Sequence, residues 1–420
     1  MVKEFLSRHR VPFTPKPVSI EANRLEFLQR THPELPMAVV GEVEIPGFNI
    51  KALTEALAAV GLIDPNATGR PQKKPVSHLK ATAPISDGLV VANFLADGVT
   101  LLNARTGGYL GRDLESSFIE MDGKPRDVEA VVHAGTFASI NHSAGTVTFL
   151  SLKDGGYLHG DYASSTKRCG AFPLDALPHP TEPILFVGGS DDRCVTLFDA
   201  RTGDYLHGTF EQSTFSTSGR SAIMCYNPEA DILYVRLSNE GVCMLQGRTM
   251  KPLLGDLDSS TFKVRFGFGV AVNSDRTVLF APEAAGANDG IYMYNPHTGK
   301  PLFGTREASY RPSASTPLGV AAHPTKPILY LACAGTKTLE LRDSRTGEYL
   351  FGTAERSSVP IGGGARDVLV DTRDDTVFVS CFDDACVIMV KPETGEYRFG
   401  TREASTIATG KGPRAMALLG

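Results

Sequence analysis

The chain contains no tryptophan in its 420 residues, so any repeat signature built on that residue is excluded. Cysteine is missing before Cys169, and the seven present are Cys169, Cys194, Cys225, Cys243, Cys333, Cys381 and Cys386. Their odd number and apolar, strand-like surroundings point to reduced core thiols rather than a disulfide framework. No run of about 18 apolar residues occurs, which argues against a membrane helix. The start, MVKEFLSRHRVPF, carries Lys3, Glu4, Arg8 and Arg10 where a signal peptide would need its apolar core, so a cytoplasmic location is expected. Excess positive charge is also absent. With a net charge of −5, the chain does not advertise nucleic-acid binding, and any basic site must be a local patch. None of the histidines has a His or Cys partner at metal-ligand spacing. Gly410-Lys411-Gly412 lacks the upstream glycine and the following Ser/Thr of a phosphate loop, and no G-x-S-x-G elbow is present. Neither a cofactor nor a metal is expected from these patterns.

What the chain does have is a repeat. A segment of the type T-G-x-Y-L-x-G-[TD] recurs with its Tyr/Pro position at Tyr109, Tyr157, Tyr205, Pro252, Pro301, Tyr349 and Tyr397, in steps of 48, 48, 47, 49, 48 and 48 residues. Four residues after each stands Asp or Thr, six after usually an acid, and eight after always a serine, from Ser117 to Ser405. Each unit reads as four short strands, with EYLFGT (348–353) as the fourth in one interval. Strands such as ILFV (184–187) are apolar on both faces, which fits sheets stacked between neighbours. A four-stranded unit of 48 residues predicts a propeller blade, and seven of them a mainly β, seven-bladed β-propeller over 85–420. The first blade lacks its inner strand, and an orphan strand at 412–420 supplies it, closing the ring.

ILFVGGSDDRCVTLFDARTGDYL (184–206) and ILYVRLSNEG (232–241) resemble the YVTN-type propeller repeat, and GPRAMAL (412–418) and GGARDVLVD (363–371) resemble its inner-strand entry. The resemblance covers about four fifths of the chain and implies fold more than function. Such propellers include lactonases, dehydrogenase subunits and binding scaffolds. Residues 1–63 read as a small α/β domain whose order is similar to the later part of a glutaredoxin. LPMAVVGEVEIPGFNIKALTEAL (35–57) would be strand, turn, strand and helix, Pro36 would match the cis-proline, and Gly47-Phe48 the glycine turn. On that resemblance the first strand and Cys-x-x-Cys of the truncated thioredoxin-like domain would lie before Met1. Either a degenerate fold is kept for packing or glutathione-like ligand contact, or the gene product is longer and redox-active. A linker rich in Pro, Lys and Thr occupies 64–84.

The recurring Asp/Thr, acid and serine positions are expected to be structural, because a feature of every blade usually satisfies backbone groups. The segments from the repeat serine to the next inner strand are different. All seven carry a cation: Lys124 and Arg126, Lys167 and Arg168, Arg220, Lys263 and Arg265, Arg311, Arg366, and Lys411 and Arg414, against the acids Glu120 and Asp122. Arg126, Arg220, Arg366 and Arg414 are expected to share one position at the inner-strand entry, facing the channel. Pairing with the recurring acids, such as Glu211 and Glu355, is the alternative. The expected function is a non-catalytic module presenting a basic funnel to an anionic small molecule or an acidic protein surface. The candidate ligand-binding residues are Lys124, Arg126, Arg168, Arg220, Arg265, Arg311, Arg366, Lys411 and Arg414. The rival is an enzyme, either a lactonase-like hydrolase of an acidic sugar lactone or a thiol-redox protein.

Overall fold

The structure, a computed structural model, describes the strands Met37–Val40 and Val43–Pro46, residue 85, and residues 87–420 except 239, 285 and 287. The chain divides into two units, Met1–Lys74 and Pro75–Gly420. In the first, Met37–Val40 and Val43–Pro46 form the expected antiparallel hairpin, pairing Met37 with Pro46 and Val40 with Val43. The helices, the cis-proline, the glycine turn and the linker expected around it lie outside the described residues.

The second unit is a seven-bladed β-propeller of antiparallel sheets. Blade 1 takes its inner strand, Pro413–Leu418, from the end of the chain; it pairs with Gly88–Asn93, which pairs with Gly98–Asn103 and then Phe118–Glu120. Blades 2 to 7 follow in sequence, with inner strands Pro125–Val131, Pro173–Pro178, Ser221–Asn227, Ala271–Val272, Pro317–Ala322 and Ala365–Asp371. The second strands are apolar on both faces and fully buried, as in Ile328–Cys333 and Thr376–Cys381. Alternate residues of a strand point to opposite faces, so each blade packs on two neighbours. Leu89 packs with Phe378 of blade 7, whereas Val90 packs with Val128 of blade 2. Apolar clusters of this kind lie between every pair of adjacent blades, including blades 7 and 1, so no face of a blade is left open.

The repeat residues satisfy backbone groups. The serine Oγ accepts an N–H six residues upstream in all seven blades, from Gly111 N to Ser117 at 2.6 Å through Phe399 N to Ser405 at 2.8 Å. The Asp/Thr side chain caps the N–H three residues on, as at Asp113 with Ser116 N and Thr401 with Ala404 N. The repeat tyrosines tie neighbouring blades: the Tyr109 hydroxyl of blade 1 donates to Ala408 O of blade 7 at 2.9 Å, and Tyr397 to Pro360 O at 2.8 Å. His179 and His323 are buried at equivalent turns, where each Nδ1 accepts two backbone N–H groups.

One strand assignment is corrected. The segment around Tyr349 is not the fourth strand; it touches the third strand at one bridge, Arg342 to Tyr349. Left-handed Gly347 and Gly352 (φ +71° and +83°) bend it into a turn closed by Ser357, and the ladder resumes at Ser358–Pro360. The fourth strand therefore follows the repeat serine, as Ser358–Pro360 does after Ser357.

Blade 5 departs from the others, with only Ala271–Val272 pairing in its inner strand. Arg236 of blade 4 is wholly buried and donates to the carbonyls of Gly267, Arg265 and Pro282, replacing ladder contacts there. All seven cysteines are free thiols, six of them buried. No described helix is long and apolar enough to cross a membrane.

Candidate functional site

In every blade the turn after the second strand hydrogen-bonds the segment that enters the inner strand; examples are Phe94 N to Gly412 O, His142 N to Lys124 O and Phe382 N to Gly364 O. Just beyond this contact the inner strand carries a bulge, except in blade 5. The register shifts between Pro125 and Asp127, between Ala365 and Val368, and where Asn93 pairs with Pro413 but Ala92 with Ala415. A bulged residue leaves the ladder and its side chain is re-aimed. Arg126, Arg366 and Arg414 occupy these bulges. Two residues before each, Lys124, Gly364 and Gly412 are left-handed (φ +61°, +64° and +70°), a conformation that glycine adopts without cost.

The bulge position holds Arg414, Arg126, Leu174, Ala222, Leu318 and Arg366 in blades 1 to 4, 6 and 7, and Phe268 is its repeat equivalent in blade 5, which has no bulge there. The arginines therefore stand on three contiguous blades: 7, 1 and 2. The residue following the second strand is Phe94, His142 and Phe382 in those same three blades, but Ser190, Ser238, Ala284 and Ala334 in the other four. Rings and arginines have changed together within the repeat.

They also touch. The Arg414 guanidinium lies 5.1 Å from the Phe94 ring and 5.8 Å from Phe382, and Arg366 lies 5.3 Å from Phe382. Lys124 Nζ lies 5.6 Å from Phe94, and Arg126 reaches 6.0 Å from Phe268 of blade 5. Phe382, Phe94, His142 and Phe172 form an arc of rings with centroids 6.4, 5.8 and 5.2 Å apart in turn. His142 Nδ1 donates to Pro173 O at 3.0 Å, and burial pushes its pKa down to about 4. The ring is therefore neutral at pH 7 and offers Nε2 as an acceptor.

Among the described residues, none of the three arginines forms an ion pair, and Arg366 Nε is buried without a hydrogen-bond partner. Burial, with Arg126 and Arg366 as neighbouring like charges, pushes Arg414 down to about 8. Burial pushes Arg126 down to about 10, with Asp127 and Asp175 opposing the shift, and it also lowers Arg366. Among the described residues the three guanidiniums are thus held together without a salt bridge, although Asp383 opposes the shift of Arg366 as Asp127 and Asp175 oppose that of Arg126.

The acids nearby face other work. Asp127 Oδ2 accepts Ala176 N at 2.5 Å, Asp175 Oδ2 accepts Met224 N at 2.7 Å, and Asp367 Oδ2 accepts Met416 N at 2.9 Å. Each ties one inner strand to the next. Burial pushes Asp127 up to about 7 and Asp367 up to about 6, and raises Asp175 and Glu129 well above the usual carboxylate range.

The remaining predicted residues are spread differently. Arg220 does not share the position of Arg126; the bulge register makes it the counterpart of Lys124, and it pairs with Asp191 at 2.6 Å. Arg168 and Arg311 lie on the outer strands Thr166–Arg168 and Tyr310–Pro312, because the fourth strand follows the repeat serine. There Arg168 stacks 4.5 Å from Phe210, and Arg311 pairs with Glu348 at 2.5 Å. Arg265 and Lys411 are exposed, and their carbonyls accept bonds from Arg236 and Leu95. Phe94, His142, Phe268 and Phe382 were not anticipated. Aligning the seven repeats on the residue after the second strand would have found the first, second and fourth of them.

No family model matches the chain, and no curated protein matches it in sequence. Among solved structures, hydrazine synthase from Kuenenia stuttgartiensis matches with a TM-score of 0.52 and 13% identity, over 70% of this chain and 89% of that one. At that identity the likeness concerns the propeller fold alone.

Proposed function

We propose that this protein is a non-catalytic binding module whose propeller, of the YVTN type, holds an anionic small molecule at Arg126, Arg366 and Arg414. The observation that carries the reading is the joint change on blades 7, 1 and 2. Three arginines and three rings replace apolar and small residues at two repeat positions, and the arginines form no ion pair among the described residues. Arginine suits a carboxylate or phosphate because its fork binds two oxygens at once. The stacked phenylalanines fix the guanidinium planes before a ligand arrives, which lowers the cost of binding. A recessed, partly buried cluster favours a small anion over an acidic protein surface. The glutaredoxin-like N-terminal segment would help to position a partner, and a cytoplasmic setting suits the free thiols.

The test is thermal melting of the wild type and of Arg366→Ala/Arg414→Ala, with and without phosphate, citrate and sugar phosphates. An anion should stabilise the wild type, less so in added salt, and leave the variant unmoved. The variant alone should melt no lower than the wild type, because removing two like charges relieves repulsion. A wild type indifferent to every anion, with a variant that melts far lower, would mean that the arginines serve the fold.

A hydrolase remains the second reading, and one observation favours it. Glu129 lies three residues along the strand from Arg126, and burial, with Asp127, Asp175 and Asp367 as neighbouring like charges, raises its pKa well above normal against a backbone hydrogen bond from Ala130. Such a carboxyl could act as a general acid or base on a lactone held by the arginines. Glu129→Gln should abolish lactone turnover while sparing anion binding. Absence of turnover in the wild type across acidic sugar lactones would remove this reading.

A further inference from the structure

We infer that the ligand is an amphiphilic anion: a carboxylate or phosphate group carried on a flat, apolar ring system. This rests on the anion-site reading above and adds the chemical class of the rest of the molecule. The bulge position makes two unlike halves. Blades 7, 1 and 2 supply Arg366, Arg414 and Arg126, and blades 3 to 6 supply Leu174, Ala222, Phe268 and Leu318 at the same level of the fold. The two halves come close to one another, since the Arg126 guanidinium stands 6.0 Å from the Phe268 ring although blades 3 and 4 lie between them in the ring order.

Leu174, Ala222 and Leu318 are buried within their blades, so the apolar surface left to a ligand is that of partly buried Phe268 and of Phe266, which is 41% exposed, and a bare inorganic anion would leave those two rings facing water. A ligand whose acid group meets the guanidinium edges and whose ring lies toward Phe268 uses both. The faces of Phe94 and Phe382 are taken by Arg414 and Arg366, so they set the cations. Phe268 is the ring on the opposite half, and Phe266 packs edge-on against it at 5.1 Å. His142 is neutral at pH 7 and extends the aromatic wall without adding charge. Aromatic surface adds affinity to a charged anchor, whereas a second anionic group would gain nothing from Phe266 or Phe268.

The experiment is isothermal titration of the full chain at low salt with two matched pairs, phenyl phosphate against inorganic phosphate and benzoate against acetate. Each aromatic probe should bind at least about tenfold more tightly than its partner, a difference of about 1.4 kcal/mol. The pair with the stronger aromatic member identifies the head group. Phe268→Leu should shrink the ratio toward one within each pair; Phe266→Ala, at the exposed ring packed against Phe268, serves the same purpose if the first variant does not fold. Equal affinities within both pairs overturn the inference while the anion site stands. Failure of all four probes to bind overturns both.

Discussion

Deleting residues 413–420 removes the inner strand of blade 1 and leaves Gly88–Asn93 as an unpaired edge on the channel. The structure sets the magnitude. Met416 and Leu419 are 3% and 2% exposed, so each contributes about 1.5–3 kcal/mol of apolar burial. The strand also pairs Leu89 with Leu418, Val90 with Ala417, Val91 with Met416 and Ala92 with Ala415, and Leu419 N donates to Gly88 O at 2.8 Å. At about 1 kcal/mol for each ladder bond, the total reaches roughly 10 kcal/mol. That rivals the whole stability of an ordinary domain, about 5–15 kcal/mol. The truncated chain should lose its cooperative melt in near-ultraviolet circular dichroism, which reports tyrosine packing in a protein without tryptophan, and should bind a hydrophobic dye. A synthetic peptide of residues 411–420 added in trans should restore the melt by filling the gap as a strand. A truncated chain that melts like the intact one, or gains nothing from the peptide, would refute the closure argument.

Other outcomes follow from single groups. Ser309→Ala leaves Phe303 N–H without its acceptor at 2.9 Å and should cost about 1–2 kcal/mol in urea unfolding, as should the same change in any blade. Glu340→Ala strips the partner, at 2.7 Å, of Arg342, both being 1% exposed, and should cost about 3–5 kcal/mol, read as a lower unfolding midpoint. The pH dependence has a definite sign. The folded pKa of Asp367, about 6, lies above its unfolded value, so its contribution is present below pH 4 and lost as pH rises through 6. Asp367→Asn should therefore gain relative to the wild type between pH 4.5 and 7, measured as the difference in unfolding midpoint. The comparison with the variant matters because His142, His179 and His323, shifted down by burial, slope the other way.

The blade count was legible because the Tyr–Ser spacing carries a structural job in each copy, and seven equivalent jobs leave seven equivalent residues. The fourth strand was misread because Tyr349 lies in an apolar, strand-like hexapeptide, whereas Ser358–Pro360 is three residues long and carries no periodicity. Two left-handed glycines decide between them, and their φ angles are not visible in composition. The site was half legible. Arg126, Arg366 and Arg414 were marked by charge and by position, each 17 residues after its repeat tyrosine, but Arg220 was placed with them on charge alone, since it stands 15 residues after Tyr205 and a straight count separates it. The rings were missed for another reason. Phe94 and Phe382 lie about 290 residues apart in sequence and meet only because the last strand closes the ring onto the first blade.

The central claim is that the three bulge arginines are held for an anion. The most direct measurement is a proton–nitrogen spectrum of arginine-labelled protein, with the Nε–H signals of Arg126, Arg366 and Arg414 assigned through single Lys variants. Addition of phosphate at low salt should shift all three signals together, saturating at one equivalent per chain, while Arg220 and Arg311, already paired with Asp191 and Glu348, stay in place. Three signals that do not move, or that move no more than those of the paired arginines, would contradict the account.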